Sequence, residues 1–180
     1  MGKTIKFIIS IGVCEAAGAL GSIFTAPAIG SWYSFLEKPS FSPPNWLFAP
    51  VWTALYFLMG VSLYLVWAKN WGIALKAGEA EQKTWNPVSK KLWTGSWREE
   101  NALAIFVLQL ILNVLWSVIF FGLKNPGLAF FEILMLWFAI LYTIVNFKRI
   151  SKPAGYLLLP YLLWVSFAGL LNYFLWRLNF

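Results

Sequence analysis

The feature that most constrains the fold of this chain is a series of five long apolar stretches. A transmembrane helix needs about 20 predominantly apolar residues to cross roughly 30 Å of hydrocarbon, and each stretch reaches that length. The sequence therefore predicts an all-α integral membrane bundle of five transmembrane helices in a single domain. The predicted helices cover residues 5–26, 46–68, 102–123, 126–147 and 154–176.

Composition agrees with this class and excludes several chemistries. Of the 180 residues, 60% are hydrophobic and 12% are charged, whereas a soluble domain carries about 25% charged residues. The chain contains no His and no Asp, which excludes Ser-His-Asp triads, His-ligated zinc and His-ligated haem. Cys14 is the single cysteine and cannot form an intrachain disulfide. We predict no metal site and no required cofactor.

Two segments are long enough to be loops, the outer loop of residues 30–45 and the inner loop of residues 69–101. Eleven of the 14 Lys and Arg residues fall on the side that holds the N terminus and the inner loop. Basic residues are enriched in cytoplasmic loops, so we predict an N terminus inside and a C terminus outside, in a bacterial inner membrane or a plasma membrane. The net charge of +7 then reflects this asymmetry and anionic headgroups, without nucleic acid as a partner.

The inner loop mixes charged residues with tryptophans, a pattern that favours a segment lying on the lipid headgroups. The alternative is a surface that binds a partner protein, which would make the chain a membrane scaffold. The tryptophans concerned are Trp71, Trp85, Trp93 and Trp97.

Several amides and tryptophans lie deeper than the interfacial belt when depth is counted at 1.5 Å per residue. Spacings of i, i+4 and i+7 place them in one stripe on each of two helices. Because amides in hydrocarbon need partners, we expect both stripes to face the bundle interior and to form an aromatic cavity suited to a small molecule. The stripes are Gln109, Asn113 and Trp116 on the third helix, and Trp164, Ala168 and Leu171 on the fifth.

Each of these polar groups also has a structural interpretation. Gln109 and Asn113 are equally consistent with hydrogen bonds that hold helices together. For Trp52, Trp116 and Trp164 we favour a ligand-lining role, because a buried indole N–H needs a partner that lipid cannot supply.

Two acids lie within the predicted spans, Glu15 and Glu132. Burial disfavours a charged carboxylate, so we expect both to be neutral and hydrogen-bonded. A structural hydrogen bond and a ligand or proton role both remain open. The outer loop, with three prolines and many aromatics, is either a lid over the bundle mouth or an interfacial anchor.

Four strings carry a resemblance to a known family. The outer loop reads WYSFLEKPSFSPPNW from Trp32 and is followed by FAPVWTALYFLMG from Phe48. The third helix contains QLILNVLWS from Gln109, and the fifth contains PYLLWVSFA from Pro160. These strings closely resemble the tryptophan-rich sensory protein and translocator protein family, also called the peripheral benzodiazepine receptor family.

The resemblance implies a homodimeric membrane receptor or carrier with a role in tetrapyrrole handling, transport or stress sensing. The implied ligands are porphyrins such as protoporphyrin IX or haem, and sterol-like or drug-like molecules. The resemblance also implies two residue sets. The ligand-binding set is Trp32, Trp52, Tyr56, Asn113, Trp116, Trp164, Ala168, Leu171 and Asn172, and the sterol-contact pattern is Leu171, Tyr173 and Arg177.

An enzymatic alternative remains beside the receptor interpretation. The resemblance implicates Trp52 and Trp164 in light- and oxygen-dependent porphyrin degradation in some bacterial members, and these two residues are catalytic only in that case. This sequence also departs from the family at Leu128, where some members have an aromatic residue, and at Phe131, often a small residue. We expect these changes to alter the pocket.

Overall fold

The computed structural model describes residues 2–81 and 89–180, and it describes side chains for residues 2–69 and 101–180. Within these residues the structure is helical without strands, and five helices are long and apolar enough to cross a membrane. This confirms the predicted all-α class of five spans. The spans are Lys3–Ile29, Asn45–Lys69, Asn101–Gly122, Pro126–Ile150 and Lys152–Asn179.

The spans are built from six α-helices, because the last span is broken near Leu158. Pro160 cannot donate a backbone hydrogen bond and its ring clashes with the carbonyl four residues earlier, which separates two helices that share one path. The predicted fifth span of residues 154–176 lies within the observed span Lys152–Asn179, which is divided into two helices. The helices are α1 Lys3–Ile29, α2 Phe48–Glu81, α3 Ser89–Ser117, α4 Pro126–Ile150, α5 Lys152–Leu157 and α6 Leu159–Asn179.

The predicted inner loop of residues 69–101 is helical at both ends, because α2 continues to Glu81 and α3 begins at Ser89. The length of an apolar run predicts only the part of a helix that crosses the membrane. The helix can continue beyond it, because the Ala, Lys and Glu residues that follow are good helix formers in water. Residues 82–88 and the side chains of the inner-loop tryptophans lie outside the described residues. The headgroup and scaffold interpretations therefore stay predictions.

A tight turn joins α3 to α4. The last helical turn of the third span, Val118–Gly122, has π-type hydrogen bonding, and Lys124 takes a left-handed φ of 53°. The Asn125 side chain then accepts a 2.9 Å hydrogen bond from the backbone N–H of Leu128. Asn125 thus caps the N terminus of α4, with proline at the first helical position.

The five spans form a ring. Around this ring α1 is followed by α2, then by the last span, which consists of α5 and α6, and then by α4 and α3; α3 packs against α1. The short links make α3, α4 and the last span consecutive neighbours. We call the end where α1 begins and α4 ends the basic end. The opposite end, where α1 ends and α2 begins, is the loop end.

Candidate ligand site

A cavity of about 400 Å³ lies inside the loop end of the bundle, between α1, α2, α3 and α6. Its volume falls within the range of roughly 300–1,000 Å³ usual for small-molecule sites. Aromatic and small apolar side chains make most of its wall, with a few amides, hydroxyls and one carboxyl group. Besides the predicted residues, the wall includes Glu15, Gly18, Ala19, Ser22, Thr25, Ala26, Tyr33, Phe48, Ala49, Thr53, Ser117, Phe120 and Phe121.

The structure brings eight of the nine predicted ligand-binding residues to this cavity. Their common location follows from the helical stripes, although binding itself stays a prediction. They are Trp52, Tyr56, Asn113, Trp116, Trp164, Ala168, Leu171 and Asn172.

Trp32 is the predicted residue that does not line the cavity. It lies in a short 3₁₀ turn, Trp32–Phe35, and packs edge-on against Phe120 with ring centroids 5.7 Å apart. The same turn places the neighbouring Tyr33 in the cavity wall, where it is 3% exposed. Sequence reasoning missed Tyr33 because the periodicity of a membrane helix does not extend into such a turn.

Asn113 joins three helices through its amide. Its side-chain oxygen accepts the hydroxyl of Tyr56 on α2, and its side-chain nitrogen donates a 2.7 Å hydrogen bond to the hydroxyl of Tyr161 on α6. Both of its polar atoms are therefore taken by protein. Of the two interpretations left open for this residue, the geometry favours interhelical hydrogen bonding.

The indole N–H of Trp116 is also satisfied within the protein. It donates a 3.0 Å hydrogen bond to the side-chain oxygen of Asn172, whose nitrogen donates to the carbonyl of Pro126 at 2.7 Å. The partner that this buried N–H needs is therefore supplied by α6, and the ligand-lining role of Trp116 stays a prediction. The ring of Trp116 still faces the cavity and stacks on Phe120 at a centroid distance of 4.9 Å.

Gln109 belongs to the predicted stripe on α3 but does not reach the cavity. Its side chain is 1% exposed, and its nitrogen lies 4.0 Å from the sulfur of Met59, deeper in the bundle. Its side-chain oxygen has no hydrogen-bond partner among the described residues. On α3 the cavity ends at Asn113, which lies one helical turn nearer the loop end than Gln109.

Trp52 and Trp164 face the cavity from α2 and α6. The ring of Trp52 packs against Tyr56 at a centroid distance of 5.6 Å, and Trp164 lies 6.1 Å from Phe48 and 5.6 Å from Phe167. In the described part of the chain, the buried indole nitrogen of Trp164 has no hydrogen-bond partner. These two indoles are the oxidisable groups of the cavity to which the resemblance gives a role.

The two intramembrane acids have different surroundings. Glu15 on α1 lines the cavity and is half-buried. Glu132 on α4 is 2% exposed and does not line the cavity, and neither carboxyl oxygen has a hydrogen-bond partner among the described residues. The expected hydrogen bond of Glu132 is therefore not formed with any described residue.

The outer loop is fastened over the end of α6. The backbone N–H of Glu37 donates to the side-chain oxygen of Asn179 at 2.8 Å, and the Asn179 nitrogen donates back to the Glu37 carbonyl at 3.0 Å. Phe41 packs against Phe167 and Phe174, with centroids 6.3 and 5.4 Å away. These contacts anchor the loop on α6, and Tyr33 is the residue of this loop that lines the cavity. The lid interpretation stays a prediction.

Tyr33 and Lys38 connect this loop to the cavity. The ammonium of Lys38 lies 4.8 Å from the centre of the Tyr33 ring, within the range of a cation–π contact. Burial raises the pKa of the Tyr33 hydroxyl above its ordinary value, and the neighbouring Ser42 opposes this shift. The phenol is therefore neutral in the cavity wall, with one positive charge close to its ring.

The sterol-contact pattern is not a single surface. Leu171 is buried in the cavity wall, whereas Tyr173 and Arg177 are exposed. Residues two apart on a helix point in nearly opposite directions, which explains the separation. The changes at Leu128 and Phe131 do not alter the pocket either, since both side chains are exposed and neither lines the cavity.

Comparison with known proteins identifies the family. The sequence profile of the TspO/MBR family matches residues 10–177. This chain belongs to the TspO/MBR family. It is 41% identical to the tryptophan-rich protein TspO of Archaeoglobus fulgidus, over 97% of each chain, and 39% identical to that of Chlorobaculum tepidum, over 98% of each chain. It is 38% identical to the human translocator protein, over 82% of this chain and 75% of the human one.

Proposed function

We propose that this TspO/MBR family protein is a membrane receptor or carrier that binds a porphyrin, such as protoporphyrin IX, in the cavity at the loop end. The observation that carries the proposal is the convergence of Trp52, Tyr56, Trp116 and Trp164 on one cavity between the helices. Flat aromatic walls suit a flat apolar macrocycle. Burial of apolar surface contributes about 25 cal/mol per Å² before ordering costs.

The hydrogen-bonded polar groups of the wall favour a ligand recognised mainly by shape, whereas the indole N–H of Trp164 has no partner among the described residues. The amides of Asn113 and Asn172 and the indole N–H of Trp116 are already bonded to protein. A ligand that depended on these groups for hydrogen bonds would have to displace bonds that hold the helices together. A macrocycle that stacks on the rings requires no such displacement.

The donor set favours a metal-free porphyrin over haem. The chain has no His, so axial ligation of haem iron would need a less common group such as Tyr56 or Met59. The Tyr56 hydroxyl donates to Asn113, and Met59 is fully buried away from the cavity. Among the described residues, no group of three or more Cys, Asp or Glu side chains could hold a metal ion.

The test is a titration of detergent-solubilised protein with protoporphyrin IX, followed by quenching of tryptophan fluorescence. We expect saturable quenching in the wild type and an affinity about tenfold lower, equivalent to about 1.4 kcal/mol, when Trp52→Ala and Trp164→Ala are combined. Trp46→Ala is the matched control, because Trp46 is 71% exposed and does not line the cavity. Absence of saturation in the wild type, or equal affinities in all three proteins, would remove the proposal.

Light-driven degradation of the bound porphyrin is a second candidate, favoured by the two oxidisable indoles that face the cavity. In this function the excited porphyrin is oxidised by molecular oxygen while it is held between Trp52 and Trp164. Illumination in air should then bleach porphyrin faster with protein than in matched micelles. Trp52→Phe and Trp164→Phe should slow the bleaching and keep most of the affinity, whereas equal bleaching rates with and without protein reject the candidate.

We also propose the orientation that the basic residues predict, with the loop end outside. In a Cys14→Ala background, a cysteine at Ser40 in the exposed outer loop should react with an impermeant thiol reagent in intact cells. A cysteine at Gly2, exposed at the basic end, should react only after lysis. The reverse pattern contradicts this orientation. The homodimer implied by the resemblance likewise stays a prediction.

A further inference from the structure

Three polar side chains form the floor of the cavity, the part of its wall farthest from the loop end. They are Glu15, Tyr56 and Asn113, each the lining residue of its helix that lies farthest from that end. Tyr56 and Asn113 are bonded to each other, and Asn113 also donates to Tyr161. The carboxyl group of Glu15 forms no hydrogen bond with any described residue. Within that part of the chain it is the unpaired polar group of the floor.

The aromatic ring of Tyr56 adjoins this carboxyl group. A Cβ atom added to Gly18 would lie 2.5 Å from the ring, so the ring packs directly on α1 at this glycine. Gly18 follows Glu15 by three residues and therefore shares its face of the helix, and the Tyr56 hydroxyl interacts electrostatically with the Glu15 carboxyl. Trp52 lies next to Tyr56, with ring centroids 5.6 Å apart. Aromatic rings beside an acid suit a cation, because the face of such a ring attracts positive charge.

The cavity wall holds this acid without a base. No Lys or Arg is among the described residues that line the cavity, and Lys38 lies at the loop end, beside Tyr33. Counted at 1.5 Å per residue, Glu15 lies roughly 21 Å from Ile29, the last residue of α1, which is near the middle of a hydrocarbon core about 30 Å thick. Lipid headgroups do not reach this depth. Since acids within a membrane are usually paired, a ligand is left to supply the partner.

We propose that Glu15 determines the specificity of the cavity and selects flat apolar molecules that carry one basic nitrogen. The amine takes the proton of the carboxyl group, and the resulting ammonium donates a charge-assisted hydrogen bond to the carboxylate. The pair is neutral overall, because the proton only moves from oxygen to nitrogen. The ring of Tyr56 stabilises the ammonium group. A molecule with a hydroxyl group in place of the amine forms only the weaker, neutral hydrogen bond.

Two other buried groups of the wall lack partners among the described residues, the indole N–H of Trp164 and the hydroxyl of Tyr33. The indole is a donor and cannot bind an ammonium group. The Tyr33 ring already lies 4.8 Å from the ammonium of Lys38, which repels a second positive charge. Glu15 is therefore the group that favours an amine. This selectivity rests on the part of the proposed function that makes the cavity a ligand site, and it does not require a porphyrin as the occupant.

The test compares two compounds that differ in one group. 1-Pyrenemethylamine carries a basic nitrogen, and 1-pyrenemethanol has a hydroxyl group in its place on the same flat apolar ring system. Each compound is titrated into detergent-solubilised protein, and quenching of tryptophan fluorescence by the pyrene gives its Kd. We expect the wild type to bind the amine about tenfold more tightly than the alcohol.

Two variants assign this preference to a residue. Glu15→Gln keeps the size of the side chain and removes its acidic proton, so we expect the preference for the amine to disappear while the Kd of the alcohol changes by less than about twofold. Glu132→Gln is the matched control, because it makes the same change at an intramembrane acid that is buried outside the cavity. It should keep the preference of the wild type. Differences between the two compounds in micelle partitioning are the same for all three proteins and do not affect the comparison.

The proposal is overturned if the wild type shows no preference for the amine, or if Glu15→Gln keeps the preference or Glu132→Gln loses it. An equal loss of affinity for both compounds in Glu15→Gln would also overturn it, since that result gives Glu15 a structural role. Protoporphyrin IX titrated into the same preparations separates the two hypotheses. Saturation by the porphyrin without a preference for the amine keeps the proposed function and loses the role of Glu15. A preference for the amine without saturation by the porphyrin does the reverse.

Discussion

Trp116 on α3 and Asn172 on α6 are joined by a 3.0 Å hydrogen bond from the indole nitrogen to the amide oxygen, and Asn172 continues this link to the backbone of α4 at Pro126. Three helices are thus held together by one side chain that also borders the cavity. Several polar residues of this site both link helices and line the cavity. Measurements of protein stability and of ligand affinity on the same variant separate these two roles.

Replacing Asn172 should reduce stability as well as alter the cavity. Asn172→Leu removes both hydrogen bonds and leaves the indole N–H of Trp116 and the carbonyl of Pro126 without this partner. Since a buried polar group without its partner costs about 1–3 kcal/mol, we expect a loss in that range in reversible unfolding in mixed micelles. Asn146→Leu is the control, because Asn146 bonds only the carbonyl of Tyr142 in its own helix. Equal effects of the two changes would contradict an interhelical role for Asn172.

The contact of α1 with α2 predicts a contrast between two glycines. Gly60→Ala would place a methyl group 2.7 Å from the Cα atom of Ile11, so the helices must separate at a cost of about 1–3 kcal/mol. Gly12→Ala meets no atom within 4 Å, and we expect it to be neutral or stabilising. Thermal unfolding of the two variants checks this. A Gly60→Ala protein as stable as the wild type would show that the helices are not closely packed there.

The buried carboxyl of Glu132 predicts a stabilising substitution. Its oxygens are without hydrogen-bond partners among the described residues, so Glu132→Met should remove a desolvation penalty and raise the free energy of unfolding by about 1–3 kcal/mol. Glu37→Met, outside the membrane, should change stability by less than about 0.5 kcal/mol. If Glu132→Met instead destabilises the protein, the carboxyl has a partner in the folded state and this account of it is wrong.

Lys38 should distinguish a porphyrin acid from its ester. Its ammonium lies beside the ring of Tyr33 in the cavity wall, where it can attract a propionate of protoporphyrin IX. Lys38→Gln should weaken binding of the acid about two- to fivefold, as expected for an ion pair worth about 0.5–1 kcal/mol, and leave the affinity for the dimethyl ester unchanged. Lys124→Gln, an exposed change at the same end, is the control. A parallel loss for acid and ester would assign the effect to packing.

Apolar length and helical periodicity were sufficient to predict the class, the five spans and the stripe that carries Trp164, Ala168 and Leu171. They were not sufficient for side chains whose position depends on a turn or on a partner helix. Tyr33 lines the cavity where Trp32 was expected, because both lie in a 3₁₀ turn outside the helical periodicity. Trp116 has a partner because α6 places Asn172 opposite it, which the pattern of one helix cannot reveal.

The helix ends show a similar limit. The apolar stretches end where the membrane ends, whereas α2 continues to Glu81 because the residues after the membrane also favour helix. The break at Leu158 follows from Pro160, a residue present in the sequence but hidden within a continuous apolar run. Hydropathy locates the bilayer, and local backbone chemistry determines where each helix begins and ends.

Filling the cavity tests the central claim most directly. Ala168 is 9% exposed and forms part of the cavity wall, so Ala168→Phe should occupy space that the porphyrin needs. Ala104→Phe makes the same change on an exposed face of α3, away from the cavity. In an equilibrium titration with protoporphyrin IX, we expect the Kd of Ala168→Phe to rise about tenfold or more and that of Ala104→Phe to match the wild type. An Ala168→Phe protein that is folded, with wild-type helicity and thermal stability, and that still binds the porphyrin with wild-type affinity would contradict the account.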